Sequence, residues 1–393
     1  MKTTSSQTIS SNQGCCKHSP IHLRRLLCCL AFIFLGFGLQ AQDIDFDNYQ
    51  LLKAQGEIPE ELRRSSSDKY EAERAKLENG GKGKEHEAQD KFLLQSSFIL
   101  DEMLLSGKVL FNDPVSAYVT KVKNKLLEGS PELQKQIKTY IVKSPVANAF
   151  ATNSGILLVN MGLVARLQNE AELAFVLSHE IQHYLNKHPM NVYVKSEELK
   201  DNRKIYDLKT KEDFQMAKSK YSREVEQDAD ELGFELYKKS GYSLEAAIGV
   251  FDVLRVASQP FDQLQWESDF FEWEFLRFPA TYSRWPLDAF EKKEDEADSL
   301  STHPNIAKRR NIIESKVAAA GVDEGEIFLV GPMDFLNARK ICRFEMSELY
   351  FRTNAFEASF YNSYLLQNEE AGSHYLEKSM AKCMYAMVKY RYS

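Results

Sequence analysis

From about Phe92 the chain places apolar residues at the spacing of an α-helix. FLLQSSFILDEMLLSG and DPVSAYVTKVKNKLLEG repeat them every three or four positions and end on Gly107 and Gly129, as helix C-termini often do. The pattern then shortens. KTYIVKS, NAFATNS and GILLVN read as strands, with Asn153-Ser154-Gly155 as the turn of a hairpin between the last two. Met161 to Leu167 predicts a short helix, and Asn169 is placed to cap the next one, with Glu172 as its capping-box partner. That next helix runs through ELAFVL into LSHEIQHYLNKHP, from an apolar stretch into one rich in histidine. From about Asp334 to the end the pattern is helical again. The fold class expected is mainly α with a small β-sheet (α+β).

The ends of the chain differ from this middle. HLRRLLCCLAFIFLGFGLQAQ has a basic Arg24-Arg25 start, an apolar run from Leu26 to Leu39 and a small Ala41, which is the build of a secretory signal peptide cleaved after Ala41. Residues 1–41 are therefore expected to leave, and the mature chain to work in the periplasm or outside the cell. No further apolar stretch is long enough to span a membrane. Residues 42–91 are polar and are expected to be weakly ordered, a short helix followed by a flexible linker around Gly80, Gly81 and Gly83. Cys342 and Cys383 are the two cysteines beyond the leader, and the sequence fits either a disulfide or two buried thiols.

Composition narrows the function classes. With 57 acidic against 50 basic side chains the net charge is −7, and no basic stripe with interleaved aromatics appears, so nucleic-acid binding is not expected. There is no G-x-S-x-G, and both remaining cysteines lie in the helical tail, which argues against a serine or cysteine hydrolase.

Chemistry concentrates in His179-Glu180-Ile181-Gln182-His183, an H-E-x-x-H pattern. Positions four apart on a helix return to nearly the same face, so His179 and His183 can aim two imidazoles at one ion with Glu180 beside them. A catalytic zinc needs a third protein ligand and an open fourth position. His188 lies five residues past His183, which on a continuing helix turns it away, and Asn186 and Pro189 exclude the pattern that uses a downstream histidine. Glu226 and Asp230, four apart in REVEQDADELG, offer a ligand and an acceptor for the far nitrogen of a ligand histidine. Spacing alone does not separate that reading from a solvated acidic helix, because Glu224, Asp228, Glu231 and Glu235 surround the pair.

The run VANAFATNSGILLVNMGLVARLQNEAELAFVLSHEIQHYLNKH followed by REVEQDADELG resembles the zinc metallopeptidases that include the CAAX prenyl protease, the HtpX heat-shock protease and the mitochondrial inner-membrane stress protease. That family joins an N-A-F-A strand, a second strand, a short helix, H-E-x-x-H and a later E-x-x-A-D. The resemblance implies a gluzincin-type domain over 92–325 and one Zn²⁺ per chain. It implies His179, His183 and Glu226 as ligands, Glu180 as general base, Asp230 behind a ligand, and Asn148, Ala149, Phe150 and Ala151 along an extended substrate. Leu300-Ser301-Thr302-His303-Pro304 matches the family's T-H-P segment. There His303 would stabilise the oxyanion or occupy the open coordination position, unless it caps the Arg309-Arg310 helix.

Three tryptophans, Trp266, Trp273 and Trp285, sit in an aromatic insertion that suits either a cleft lining or ordinary packing. In 326–393 a helix, the turn Arg352-Thr353-Asn354, a helix from near Phe356 and another after Ser373 resemble tetratricopeptide repeats. Ala338, Phe356, Ala358 and Tyr364 hold the small and bulky positions. So few repeats cannot bury a core alone and should dock on the peptidase domain. The expectation is a zinc endopeptidase for unfolded or misfolded envelope proteins, with the C-terminal helices as a surface for an outer-membrane assembly partner. The rival is a non-proteolytic chaperone with a structural zinc.

Overall fold

A computed structural model describes residues 44–77, 83–257, 270, 272, 274–275, 277, 306–369 and 371–391. Residues 1–41, expected to be a leader, His303 and the three tryptophans lie outside them. Three helices open the chain, α1 (Glu60–Arg63), α2 (Ser66–Arg74) and α3 (Lys84–Leu105). Strand β1 (Val109–Leu110), helices α4 (Pro114–Leu126) and α5 (Pro131–Gln136), and strands β2 (Lys138–Val142), β3 (Ala149–Ala151) and β4 (Ile156–Asn160) follow. Then come α6 (Met161–Val164), α7 (Glu170–Leu185), α8 (His188–Asp201), α9 (Lys211–Tyr237), α10 (Glu245–Arg255) and α11 (Ile306–Ala320). Helices α12 (Pro332–Arg352), α13 (Phe356–Glu369) and α14 (His374–Arg391) complete it. The fold is thus α+β, mainly helical with one small sheet.

The sheet has four strands in the order β1-β2-β4-β3. β2 and β4 run parallel, while β1 and β3 are antiparallel to their neighbours. All five residues of β4 are buried, as a central strand covered on both faces requires. Gly155 makes the hairpin turn before it at φ +82°, a conformation strained for any residue with a Cβ. β3 is left at the edge. Ala149 and Ala151 face one way, and Phe150 packs with Leu62, Tyr140, Ile156 and Leu158 on the other.

Helix α7 threads the centre. Asn169 caps it by accepting the Glu172 amide at 2.9 Å, as the sequence predicts, but Glu172 reaches back to the Gln168 amide at 2.6 Å. Every residue from Glu170 to Gln182 is buried, so the helix is enclosed all round rather than amphipathic. Leu173, Leu177 and Ile181 are fully covered and each contributes about 1.5–3 kcal/mol by leaving water. Phe175 packs edge-on against Tyr237 of α9 and Phe251 of α10.

The N-terminal segment departs from the weakly ordered stretch expected for residues 42–91. Its polar residues hide a few anchors. Tyr49 is buried against Phe46, Phe344 and Tyr375, and its hydroxyl donates to Glu345 at 3.0 Å. Lys143 closes on the same carboxylate at 2.8 Å, tying the segment, the sheet and α12 together. Helix α3 begins at Lys84, well before the Phe92 at which the apolar pattern starts, and packs on α8. Helix α12 packs on α4 and α6, and α14 on α13. Cys342 and Cys383 are free, buried thiols.

Candidate metal centre

Helices α7 and α9 form the site because they can touch. At Gly233 a Cβ would lie 3.1 Å from the backbone of His179, so a larger residue would push α9 off α7. That close approach brings the acidic face of α9 to the histidine face of α7. The Nε2 atoms of His179 and His183 are 2.9 Å apart. Glu226 brings Oε2 to 3.7 Å from the first and Oε1 to 3.5 Å from the second. Asp230 Oδ1 lies 2.9 Å from His179 Nδ1. The two histidines paired by spacing and the glutamate implied by the resemblance therefore converge on one point, and among the described residues His179, His183 and Glu226 form the one such group of possible ligands.

The donor set fits a tetrahedral ion. Bonds of about 2.0–2.1 Å place donors roughly 3.3 Å apart, in the middle of the observed separations. Electrostatics agree. Three carboxylates, Glu180, Glu226 and Asp230, share the site with the Arg309 guanidinium. Burial lowers the His183 pKa to about 3, with His179 adding to the effect, and so keeps a lone pair available. At His179 burial acts in the same direction, but the Asp230 carboxylate overcomes it and raises the pKa.

Glu180 is 7% exposed and turns towards the same cavity. Burial raises its pKa to about 7, against the pull of His179 and the Ala151 amide, with Glu226 pushing it further up. The cavity measures about 600 Å³. Asn148, Ala149, Phe150 and Ala151 line one side of it, and Phe175, Val176, Val192, Val225, Phe251 and Leu254 give much of its apolar wall.

Two features escape the sequence pattern. Arg309 reaches in from α11, donating to Asp230 at 2.6 and 2.8 Å and standing 3.4 Å from Glu226. Its RR pair gives no sign of burial, and only a neighbouring T-H-P match could have pointed to it. His188 is the second. The expected continuing helix stops at Leu185, Lys187 adopts φ 53°, and His188 starts α8 on the far side of His183.

The profile of peptidase family M48 matches residues 116–317, just over half of the chain. The chain belongs to this family. It is 27% identical over 99 residues to the beta-barrel assembly-enhancing protease of Yersinia pestis, covering 25% of this chain and 20% of that protein. To a putative beta-barrel assembly-enhancing protease of Vibrio cholerae it is 30% identical over 87 residues, 22% of this chain and 18% of the relative. To the metalloprotease YcaL of Escherichia coli it is 28% identical over 150 residues, 35% of this chain and 57% of that one. The chain thus matches about a fifth of the first two relatives and somewhat over half of the third. Among the described residues no helix is long and apolar enough to cross a membrane.

Proposed function

We propose that this M48 member is a zinc-dependent endopeptidase that cleaves unfolded or misfolded envelope proteins outside the cytoplasm. His179, His183 and Glu226 would hold the ion, which when bound would polarise the scissile carbonyl and acidify the attacking water. Glu180 takes the proton from that water and passes it to the leaving amine. A buried carboxyl with a pKa near 7 suits both halves of the transfer. Asp230 stands 2.9 Å from His179 Nδ1 and orients its ring by charge, while Arg309 holds Asp230.

An extended chain is the natural guest. β3 is an edge strand whose residues line the cavity, so a substrate can add to the sheet through backbone hydrogen bonds. The role of His303 as an oxyanion group or a self-blocking ligand remains part of this proposal, as does a cleaved leader ending at Ala41. The relatives' names support substrates or partners connected with β-barrel assembly. The C-terminal helices supply a surface for such a partner, with Met384, Tyr385, Val388 and Tyr390 exposed on α14. We assign 92–325 to the peptidase domain and 326–393 to this tetratricopeptide-like extension.

The observation that carries the reading is the convergence of two imidazoles and a carboxylate beside a buried, undersatisfied glutamate. A scaffold with a structural zinc has no use for Glu180. The test is turnover of an unfolded protein by wild type and Glu180→Gln, before and after chelation, with zinc content measured. Zinc-loaded Glu180→Gln should lose at least about 10²-fold in turnover. Equal turnover by the two proteins would remove the enzyme reading in favour of the scaffold.

A further inference from the structure

His179 and His183 are oriented by different means. Behind His179 stands a carboxylate held by a guanidinium. Behind His183 stands another histidine: His188 Nδ1 is 3.1 Å from His183 Nδ1, with the ring centroids 5.0 Å apart and the planes at 80°. The other face of His188 meets a carboxylate, Asp228 Oδ2, 3.2 Å from Nε2. His188 is 5% exposed, whereas Asp228 sits at the surface of α9.

The break between α7 and α8 makes this possible. On an unbroken helix His188 would point elsewhere. Lys187 in the left-handed region and Pro189 in the first turn of α8 swing it beneath His183 instead. The direction of the His188–His183 hydrogen bond then follows from the charge contact behind it. A carboxylate at Nε2 requires a proton there, which leaves His188 Nδ1 with a lone pair. That lone pair accepts only if His183 carries its own proton on Nδ1. His183 Nε2 is thereby left free to face Glu226 and His179.

We propose that Asp228 and His188 are positioning residues that fix His183 as the Nδ1–H tautomer and aim its Nε2 at the metal point. The relay is separate from the Asp230–Arg309 pair behind His179, although both carboxylates come from the same helix, on either side of Ala229. The inference rests on the metal-site reading above. Neither residue belongs to the ligand group, and neither touches the reacting atoms.

Two measurements on the full chain test it. The first is Zn²⁺ affinity by competition with a chromogenic chelator, for wild type, His188→Leu, His188→Asn and Asp228→Ala. His188→Leu should bind zinc about 10–100-fold more weakly, the range expected when the partner behind a ligand is lost. His188→Asn, whose Oδ1 can take the place of Nδ1 as acceptor, should recover most of that loss. Asp228→Ala should weaken binding less and add little to His188→Leu, because the two act in series. Asp230→Asn should add its full effect to His188→Leu, because it acts on the other ring.

The second measurement is ring-nitrogen NMR of ¹⁵N-histidine-labelled, metal-stripped wild type. It should find His183 protonated on Nδ1 before any metal is added. That readout stands even if His188→Leu fails to fold. Wild-type affinity in His188→Leu, or His183 protonated on Nε2 in the stripped protein, overturns the relay. Loss of the underlying reading looks different: wild type would bind no zinc, or His183→Ala would bind it undiminished.

Discussion

Two of the buried glutamates on helix α7, Glu170 and Glu180, stand ten positions apart and have opposite surroundings. Glu170 is fully buried and receives five donors. They are the hydroxyls of Tyr118 at 2.9 Å and Tyr242 at 2.6 Å, and the amides of Leu329, Val330 and Gly331 at 2.9, 2.7 and 3.1 Å. These fill the roughly four lone-pair sites a carboxylate offers, and they bind α4, the turn before α10 and the approach to α12 to one point. Glu180 has nearly the same burial, but its neighbours oppose one another. His179 and Arg309 stabilise its charge, Glu226 resists it, and burial prevails. A saturated carboxylate holds a fold together; an undersatisfied one keeps a proton within reach of exchange. Burial alone does not distinguish the two, but the count and sign of their partners does.

Swapping the same atom at both sites is the strongest way to break this contrast. Glu180→Gln should cost at least about 10²-fold in turnover and leave the unfolding midpoint where it was or slightly higher, because a charge in a poor environment is gone. Glu170→Gln should do the reverse. An amide NH₂ there faces donors it cannot satisfy, and stability should fall by about 3 kcal/mol while turnover per folded molecule holds. Denaturant unfolding paired with turnover reads both. If Glu180→Gln unfolds early and Glu170→Gln does not, the distinction between saturated and undersatisfied carboxylates fails.

A smaller effect separates the metal point from the fold. Added zinc should raise the midpoint of wild type by mass action, and Glu170→Gln, which leaves the ligands untouched, should keep that increment. Asp230→Asn removes the negative charge behind His179 and opposite the Arg309 guanidinium. Its zinc affinity should drop about 10–100-fold, and much of the zinc-dependent rise with it. Thermal scans with and without zinc decide this. An undiminished increment in Asp230→Asn would disconnect that carboxylate from the metal point.

The same division marks what could be read in the chain beforehand. The hairpin, the Asn169 cap and the enclosed α7 follow from local spacing, and so does the pairing of His179 with His183. Each is settled within a few residues. The contact of Glu226 with that pair depends on α9 docking against α7, and spacing left it level with a solvated helix until the resemblance was weighed. Gly233, which permits the docking, looks like any helical glycine in the sequence. The places of Arg309 and His188 were not legible for another reason. One comes from a helix about 80 residues downstream of Asp230, which no period links to it. The other depends on a single left-handed residue, Lys187, with nothing in its side chain to announce the turn. The anchors of residues 44–77 were missed because Phe46 and Tyr49 are two aromatics in a polar stretch, too few to show a period.

A third glutamate on α7 tests the middle of the range. Glu172 is 4% exposed, accepts the Gln168 amide at 2.6 Å and is reached by the Asn169 side chain at 3.3 Å. Its partners are real but fewer than those of Glu170, and burial outweighs them, raising its pKa from 4.5 to about 7. Between those two values the folded state holds a proton that the unfolded chain has released. Stability therefore falls as pH rises through that window and stays lower above it. Full use of the shift would give up to roughly 3 kcal/mol, and relaxation around the site should reduce this to about 1 kcal/mol. Glu172→Gln has no charge to lose, so its unfolding free energy, relative to wild type, should climb from pH 4.5 to 7 and then level off. Parallel curves for the two proteins across that range would show that the partners of Glu172, few as they are, offset its burial.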